Sequence, residues 1–221
     1  MGNLYFGDDD LITNTAARIP VCLCVDVSGS MSGLLPEVNE GIQELYDALK
    51  KNDSTKDSVE ICVVDFATDA RKVADFENIS TAQAPHVGPT RGYTDLAAGV
   101  NLALDLLEAR KKEFAENHIE YYQPHLVIFS DGAPTSPYES AKTRVLTMTG
   151  NRKLTFLPIV LGGDESACGV LREFSDKPPV KAKDIVGFFQ WYSKSLASIG
   201  VSKPGEKVKM DVEGMKKWGE W

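Results

Sequence analysis

The stretch CLCVDVSGSMSG, residues 22–33, changes within a few positions from a buried strand into a short polar loop. The chain is apolar almost without interruption over 19–27, which is typical of a strand covered on both faces of a parallel sheet. Asp26, Ser28 and Ser30 then form the pattern D-x-S-x-S, and the two glycines of the stretch allow the backbone to turn tightly. The sequence thus predicts a strand that ends in one carboxylate and two hydroxyls.

Strands and helices alternate along the rest of the chain. Buried apolar runs predict strands, and apolar residues recurring every three or four positions predict amphipathic helices between them. This alternation predicts an α/β fold with an open, mostly parallel sheet and helices on both faces, and such sheets bind ligands beyond the carboxyl ends of their strands. Strands are predicted at 19–27, 59–67, 70–79, 125–130 and 153–163, and helices at 34–53, 95–117, 137–149, 166–174 and 184–200.

The composition is that of an ordinary globular chain, with 221 residues of which 43% are hydrophobic and 25% charged. A net charge of -8 argues against sequence-independent nucleic-acid binding, which depends on Lys and Arg neutralising phosphates. No apolar run reaches the roughly 18 residues that a membrane-spanning helix needs, and the first ten residues have no apolar signal core. We therefore expect a cytoplasmic protein with no membrane span and no nucleic-acid partner.

The cysteines predict neither a disulfide framework nor a zinc site. Cys22, Cys24, Cys62 and Cys168 are few and irregularly spaced, and the chain contains no C-x-x-C and no H-E-x-x-H pattern. Free cysteine is among the most buried residue types, so we expect reduced thiols in the core.

Two further segments add oxygen ligands to the D-x-S-x-S loop. GYTDL places Thr94 just before the second long helix, and FSDG places Asp131 at the end of a neighbouring strand. Carboxylates and hydroxyls are hard donors, suited to Mg²⁺, Mn²⁺ or Ca²⁺ rather than to zinc or copper. The D-x-S-x-S pattern alone is also ordinary turn and helix-capping chemistry, so the agreement of three segments is what predicts a metal site. Its candidate ligands are Asp26, Ser28, Ser30, Thr94 and Asp131.

These five residues resemble the metal-ion-dependent adhesion site of von Willebrand factor A domains, whose motif is D-x-S-x-S, then a Thr, then an Asp in an S/T-D-G context. The resemblance implies a Rossmann-like α/β fold with six strands, one of them an antiparallel edge strand. It implies that Ser28, Ser30 and Thr94 ligate the cation through hydroxyls, while Asp26 and Asp131 act largely through water. One metal position stays free for a carboxylate of a partner protein, so the implied function is metal-dependent protein interaction.

Longer segments are similar to the TerY-like bacterial proteins associated with tellurium resistance, over about residues 18–200. The similarity implies a single intracellular domain from a stress-response gene set, sometimes encoded beside a protein kinase and a phosphatase. We expect a scaffold or regulator whose partner is such an enzyme. The loop GPTRGYTDLAAG departs from the family's more usual Thr-Pro-Met-Gly-like metal loop. We predict that residues 85–92, which border the proposed site, shape its specificity for a partner. The five segments that carry the similarity to TerY-like proteins are IPVCLCVDVSGSMSG, VEICVVDFA, LEARKKEF, YYQPHLVIFSDGAPT and FFQWYSKSLASI.

The chain divides into three parts on these patterns. Residues 1–16 form an N-terminal tail whose start, MGNLYFGDDD, looks like a fragment of a protease-cleavable tag. Residues 17–200 are expected to form the domain that resembles von Willebrand factor A domains. Residues 201–221 form a C-terminal tail with Trp218 and Trp221, which either pack on the domain or serve as a short partner motif.

Two other functions compete with ligand capture. A phosphohydrolase of the haloacid-dehalogenase type also begins with a buried strand ending in Asp, as D-x-D-x-T/V, but Ser28 stands where its general acid would be. Alternatively, the domain keeps a metal only for structure. The chain has neither a P-loop nor a G-x-S-x-G nucleophile elbow, so we expect no enzyme activity and no catalytic residues.

Local patterns predict several contacts. Ser136 and Glu139 suit a capping box, with Gly150 just beyond the end of that helix. Glu108 precedes Lys112 by four residues, which predicts an ion pair on a solvated helix face. His125, at a strand entrance, is expected to pack in the core. The last helix is expected to turn Phe188, Trp191, Tyr192 and Leu196 toward the core.

Overall fold

A computed structural model describes residues 14–162, 165–206, 208 and 211–220. Its strands form one seven-stranded sheet in the order β3-β2-β1-β4-β5-β6-β7. They are β1 (Ile19–Asp26), β2 (Val59–Phe66), β3 (Ala70–Asn78), β4 (His125–Ser130), β5 (Thr155–Val160), β6 (Val180–Ala182) and β7 (Gly219–Glu220).

The strand directions confirm an α/β, Rossmann-like fold with a mostly parallel sheet. Central β1 pairs in parallel with β2 on one side and β4 on the other, and all eight of its residues are buried. Strand β3 runs antiparallel to β2, as the predicted hairpin requires. The apolar runs place five of the six strands that the resemblance implies, and the structure adds the short β6 and a seventh strand, because Gly219 and Glu220 of the C-terminal tail pair antiparallel with β6. Two residues are too few to leave a strand pattern in the sequence.

Among the described residues, six α-helices connect or flank the strands, and a 3₁₀-helix, Gly29–Gly33, follows β1. Side chains alternate across β1, so that Leu23 belongs to a core on one face and Cys24 to a core on the other. Helices α1 and α5 cover the first face, and α2, α3 and α4 cover the second. The helices are α1 (Leu35–Lys50), α2 (Leu96–Glu116), α3 (Glu139–Gly150), α4 (Glu165–Arg172), α5 (Ile185–Gly200) and α6 (Val212–Met215).

Gly41 lies in the middle of α1, where glycine normally weakens a helix, because α5 packs there. A Cβ at this position would overlap the ring of Phe189. We expect Gly41→Ala to lower the free energy of unfolding by about 1–3 kcal/mol through overpacking, measured by urea denaturation. Gly169→Ala in α4 is the matched control, since a Cβ there meets nothing within 4 Å and should raise stability by about 0.5–1 kcal/mol. Equal effects of both substitutions would contradict the packing explanation.

Two local predictions on helices are wrong. Helix α3 begins at Glu139 with Tyr138 as its N-cap and without a side-chain cap bond, whereas the Ser136 hydroxyl is buried with no hydrogen-bond partner. The loop that follows β4 sets the start of α3 at Glu139, so Ser136 falls outside the cap position. At the other end, Gly150 is the last residue of the helix, whereas it was predicted to follow the helix. Glu108 does not pair along its own helix either, because it accepts a hydrogen bond from Arg144 at 2.9 Å.

The last helix and the tail form an aromatic cluster on the face of the sheet. As predicted, Phe188, Trp191 and Tyr192 of α5 are buried, and Nδ1 of the buried His125 lies 2.9 Å from the Tyr192 hydroxyl. Trp218 of the tail is 2% exposed, with its ring centroid 4.9 Å from that of Phe188, so the tail packs on the domain here. Residues 1–13 of the N-terminal tail, and Trp221, lie outside the described residues. Within the described part of the chain, every helix is too short or too polar to cross a membrane.

Candidate metal centre

The candidate site lies where β1 and β4 end side by side. Both strands run in the same direction, so their carboxyl ends reach the same edge of the sheet. Asp26 is the last residue of β1, and Asp131 follows Ser130, the last residue of β4. Ser28 and Ser30 lie in the turn and 3₁₀-helix that immediately follow β1.

Asp26 is fully buried and is held from both sides. Its Oδ1 accepts a hydrogen bond from the Ser28 backbone N–H at 2.8 Å, and its Oδ2 accepts one from the Ser130 hydroxyl at 2.7 Å. Burial raises the pKa of the Asp26 carboxyl, the hydrogen bonds from Ser28 and Ser130 lower it, and the nearby negative charge of Asp131 raises it. The net shift of the Asp26 pKa is upward. A cation beside Asp26 would oppose that shift, because it would stabilise the charged carboxylate.

Ser28, Ser30 and Asp131 form a chain of polar contacts above Asp26. The hydroxyl oxygens of Ser28 and Ser30 are 3.2 Å apart, and the Ser30 hydroxyl donates to Asp131 Oδ1 at 2.8 Å. Ser28 is buried, Ser30 is exposed and Asp131 is half-buried. The cluster therefore runs from the sheet interior to the surface, where a partner can reach it.

Thr94 comes from a third loop, which backbone hydrogen bonds join to the other two. The Arg91 N–H donates to the carbonyl of Val27, just after β1, at 2.8 Å, and the Thr135 N–H donates to the Thr94 carbonyl at 2.8 Å. Thr94 is 6% exposed. The described hydrogen bonds of Thr94 are made by its backbone carbonyl, so it joins the cluster as a neighbour of the Asp131 loop, without a hydrogen bond to the other four residues.

Sequence reasoning missed two residues that support the site. Ser130 orients Asp26, and its only signal is its place beside Asp131 in FSDG. Arg91 fixes the Thr94 loop: its guanidinium donates to Asp65 Oδ1 at 2.7 Å and to Asp69 Oδ1 at 3.0 Å. Nothing in the sequence distinguishes Arg91 from a solvated loop residue, because its two carboxylate partners lie more than 20 positions away.

The donor set fits a hard divalent cation. Across the described residues, neither Asp26 nor Asp131 forms an ion pair with a Lys, Arg or His side chain. That same part of the chain holds no group of three or more His, Cys, Asp or Glu side chains placed to hold a metal ion, the arrangement that zinc sites use. Two carboxylates with three hydroxyls would instead offer only oxygen donors, which suit Mg²⁺, Mn²⁺ or Ca²⁺.

Solved structures with the same fold include two pilus proteins and a von Willebrand factor type A protein. The vWF domain of the type V pili tip protein Mfa5 from Porphyromonas gingivalis is 12% identical with a TM-score of 0.60, over 87% of this chain and 99% of that one. The pilus adhesin SpaC from Lactobacillus rhamnosus GG is 10% identical with a TM-score of 0.66, over 83% of this chain and 30% of that one. A von Willebrand factor type A protein from Catenulispora acidiphila is 16% identical with a TM-score of 0.56, over 83% and 43%.

These likenesses show the fold, and the chain spans less than half of the SpaC and Catenulispora proteins. No curated protein matches the sequence at a significant level. The family model described as von Willebrand factor type A domain matches residues 21–133, just over half of the chain. That match runs from β1 through Asp131 and so contains all five candidate ligands. The chain belongs to the von Willebrand factor type A domain family.

Proposed function

We propose that this domain is a metal-dependent protein-interaction module. Asp26, Ser28, Ser30, Thr94 and Asp131 would hold Mg²⁺, or Mn²⁺ or Ca²⁺ in its place, and the bound cation would supply a coordination position for a carboxylate of a partner protein. The observation that carries the proposal is the polar cluster itself: two carboxylates without an ion-pair partner among the described residues, beside hydroxyls 3.2 Å apart.

The hydrogen bonds of the cluster support these roles. A serine that donates its proton to a carboxylate keeps its oxygen lone pairs for a metal, and Ser30 donates to Asp131 in this way. Asp26 lies deeper and has both oxygens engaged, which suits a carboxylate that acts through water. Mg²⁺ dehydrates reluctantly and usually keeps several waters, so such indirect contacts are ordinary for it.

The charge of the site supports capture of an anionic group. Two carboxylates and three neutral hydroxyls leave a divalent cation less shielded than a cage of carboxylates would. Ser30 is exposed and Asp131 half-buried, so the side of the cluster farthest from Asp26 is open to a partner. An acidic side chain of another protein fits both the charge and the access.

Metal titration tests the proposal. We expect calorimetry of Mg²⁺ or Mn²⁺ into the metal-stripped domain to give saturable one-site binding. Asp131→Ala or Ser28→Ala should weaken the affinity at least about tenfold, because each substitution removes an oxygen from the cluster. Asp47→Ala is the matched control, since Asp47 is an exposed carboxylate on α1.

Three outcomes of that titration are informative. Binding that is lost in the Asp131 and Ser28 variants and kept in Asp47→Ala would support the site. Equal binding in all variants would place the cation elsewhere and overturn the ligand assignment. Absence of binding in the unsubstituted domain, with an unchanged unfolding temperature in Mg²⁺, would overturn metal binding by the free domain.

We also propose that the module works as a scaffold or regulator in a bacterial stress-response system of the tellurite-resistance type, with a kinase or phosphatase of that system as partner. The support is the similarity of five segments to TerY-like proteins. A cytoplasmic location accords with four buried, free cysteines, which a reducing compartment keeps as thiols. Binding of such a partner in Mg²⁺ and its loss in EDTA would be the corresponding test.

The phosphohydrolase alternative has little support. A nucleophilic Asp26 would need an oxygen open to substrate, but the residue is fully buried and both oxygens accept hydrogen bonds. A metal kept only for structure would predict Mg²⁺ binding without any effect on partner binding. The EDTA comparison separates that alternative from ligand capture.

A further inference from the structure

An exposed aromatic side chain borders the candidate metal centre. Tyr93 directly precedes Thr94, so the two Cα atoms are about 3.8 Å apart across a trans peptide. Thr94 is 6% exposed, whereas Tyr93 is 72% exposed. Within the described residues, the other exposed large hydrophobic side chains are Leu146, at 38%, and Val201, at 75%, and neither is aromatic.

The loop that carries Tyr93 is fixed at several points. Near its start, Asn39 of α1 and Val87 exchange two hydrogen bonds, of 2.9 and 3.2 Å. Further along, the Arg91 N–H donates to the Val27 carbonyl at 2.8 Å, while the Arg91 guanidinium holds two carboxylates. The Tyr93 N–H donates to the Thr68 hydroxyl at 3.0 Å.

Gly92 makes this presentation of Tyr93 possible. Its φ of +51° lies in the left-handed region, and a Cβ there would overlap the Thr68 hydroxyl. The backbone thus approaches the β2–β3 turn closely enough to be held by Thr68. Because the loop is already ordered, a partner that covers Tyr93 would lose little backbone entropy in ordering it.

The charged side chains that fix the Tyr93 loop balance one another, so they favour no ionic partner there. Asp65 and Asp69 are paired with the guanidinium of Arg91, and Asp69 is also paired with that of Arg71. A tyrosine ring that is exposed on a fixed loop is a typical binding hot spot when an apolar side chain covers it.

We propose that Tyr93 is a specificity-determining contact, and that the partner presents a large apolar side chain within a few residues of the carboxylate that reaches the metal. This inference rests on the proposed function. It adds to metal capture a second requirement on the partner sequence. A carboxylate alone would bind weakly and without selection, whereas the pair of anchors defines a short acidic and apolar motif.

Selection from a random peptide library displayed on phage tests the inference. The full chain is panned in Mg²⁺ and bound phage are released with EDTA, in parallel for the unsubstituted protein, Tyr93→Ser, Asp131→Ala and Val201→Ser. Val201 is the matched control because it is an exposed apolar residue that directly follows α5. Its neighbour Gly200 packs against Ser54, away from the carboxyl ends of the strands where the candidate site lies. Thermal unfolding of each variant confirms that it is folded.

We expect the unsubstituted protein and Val201→Ser to enrich an Asp or Glu with a large apolar residue at a fixed offset. Tyr93→Ser should keep the acidic residue, lose the apolar one, and bind the best peptide about tenfold or more weakly. Three results would overturn the inference while metal capture stands. They are an unchanged apolar preference in Tyr93→Ser, enrichment of an acidic residue alone by the unsubstituted protein, and a basic residue at the fixed offset. If no pool depends on Mg²⁺ and Asp131, the proposed function fails, and this inference fails with it.

Discussion

Glu60→Gln should lower the free energy of unfolding by about 3–5 kcal/mol, because it removes one partner of a buried ion-pair network. Glu60 and Arg18 are both 0% exposed, and Arg18 Nε donates to Glu60 Oε1 at 3.0 Å. Arg110 Nε donates to the other oxygen, Oε2, at 2.7 Å and is 12% exposed. The substitution removes the buried negative charge that the Arg18 and Arg110 guanidinium groups share.

Urea denaturation at neutral pH measures this loss, and Glu113→Gln is the matched control. Glu113 is 49% exposed and accepts a hydrogen bond from Arg110 at 2.7 Å, so it contributes as a surface partner to the same arginine. We expect the control to cost under about 1 kcal/mol. Similar losses for Glu60→Gln and Glu113→Gln would show that burial does not set the energy of this network.

Acidification from pH 7 to pH 4.5 should cost the fold about 2–3 kcal/mol through His125 alone. Burial lowers the pKa of His125 to about 4, whereas an unfolded histidine titrates near about 6.5. Above about pH 6.5 the imidazole is neutral in both states and contributes nothing. Between about pH 6.5 and 4 the unfolded chain binds a proton that the folded chain does not, so stability falls as the pH falls.

The comparison with His125→Gln isolates this contribution. Glutamine stays neutral throughout, and its amide can still exchange a hydrogen bond with the Tyr192 hydroxyl, which lies 2.9 Å from His125 Nδ1. Carboxylates such as Asp26 titrate equally in both proteins, so their effects cancel in the difference between the two pH profiles. His86→Gln, at an exposed loop residue, should keep the full loss. Parallel profiles for the unsubstituted protein and His125→Gln would contradict the prediction.

Most of the site could be anticipated because its residues lie next to recognisable strands. Apolar runs end at Asp26 and before Asp131, and parallel strands that end together bring their following loops together. The direct contacts of Ser30 with Ser28 and Asp131 agree with that expectation. Thr94 was expected on its spacing, and the structure brings it to the same loops through the backbone.

The supporting contacts were not foreseeable, since each joins residues far apart in the chain. Arg110 lies in a segment, EARKKEF, that looks like a solvated helix face, yet its guanidinium reaches Glu60 on β2. The exposed position of Tyr93 depends on the close approach of Gly92 to Thr68. Strand β7 exists only because β6 offers an edge to the returning tail.

The sequence by itself determined the α/β class, the order and approximate positions of the main strands and helices, and the chemistry of the five candidate ligands. Periodic apolar residues and hard oxygen donors are local properties, and local properties can be read along a chain. Only the tertiary structure decided which charges are buried, which glycines are indispensable and which aromatic faces the solvent. Those outcomes depend on the space left between elements, and close packing fixes that space only when all of the elements are assembled.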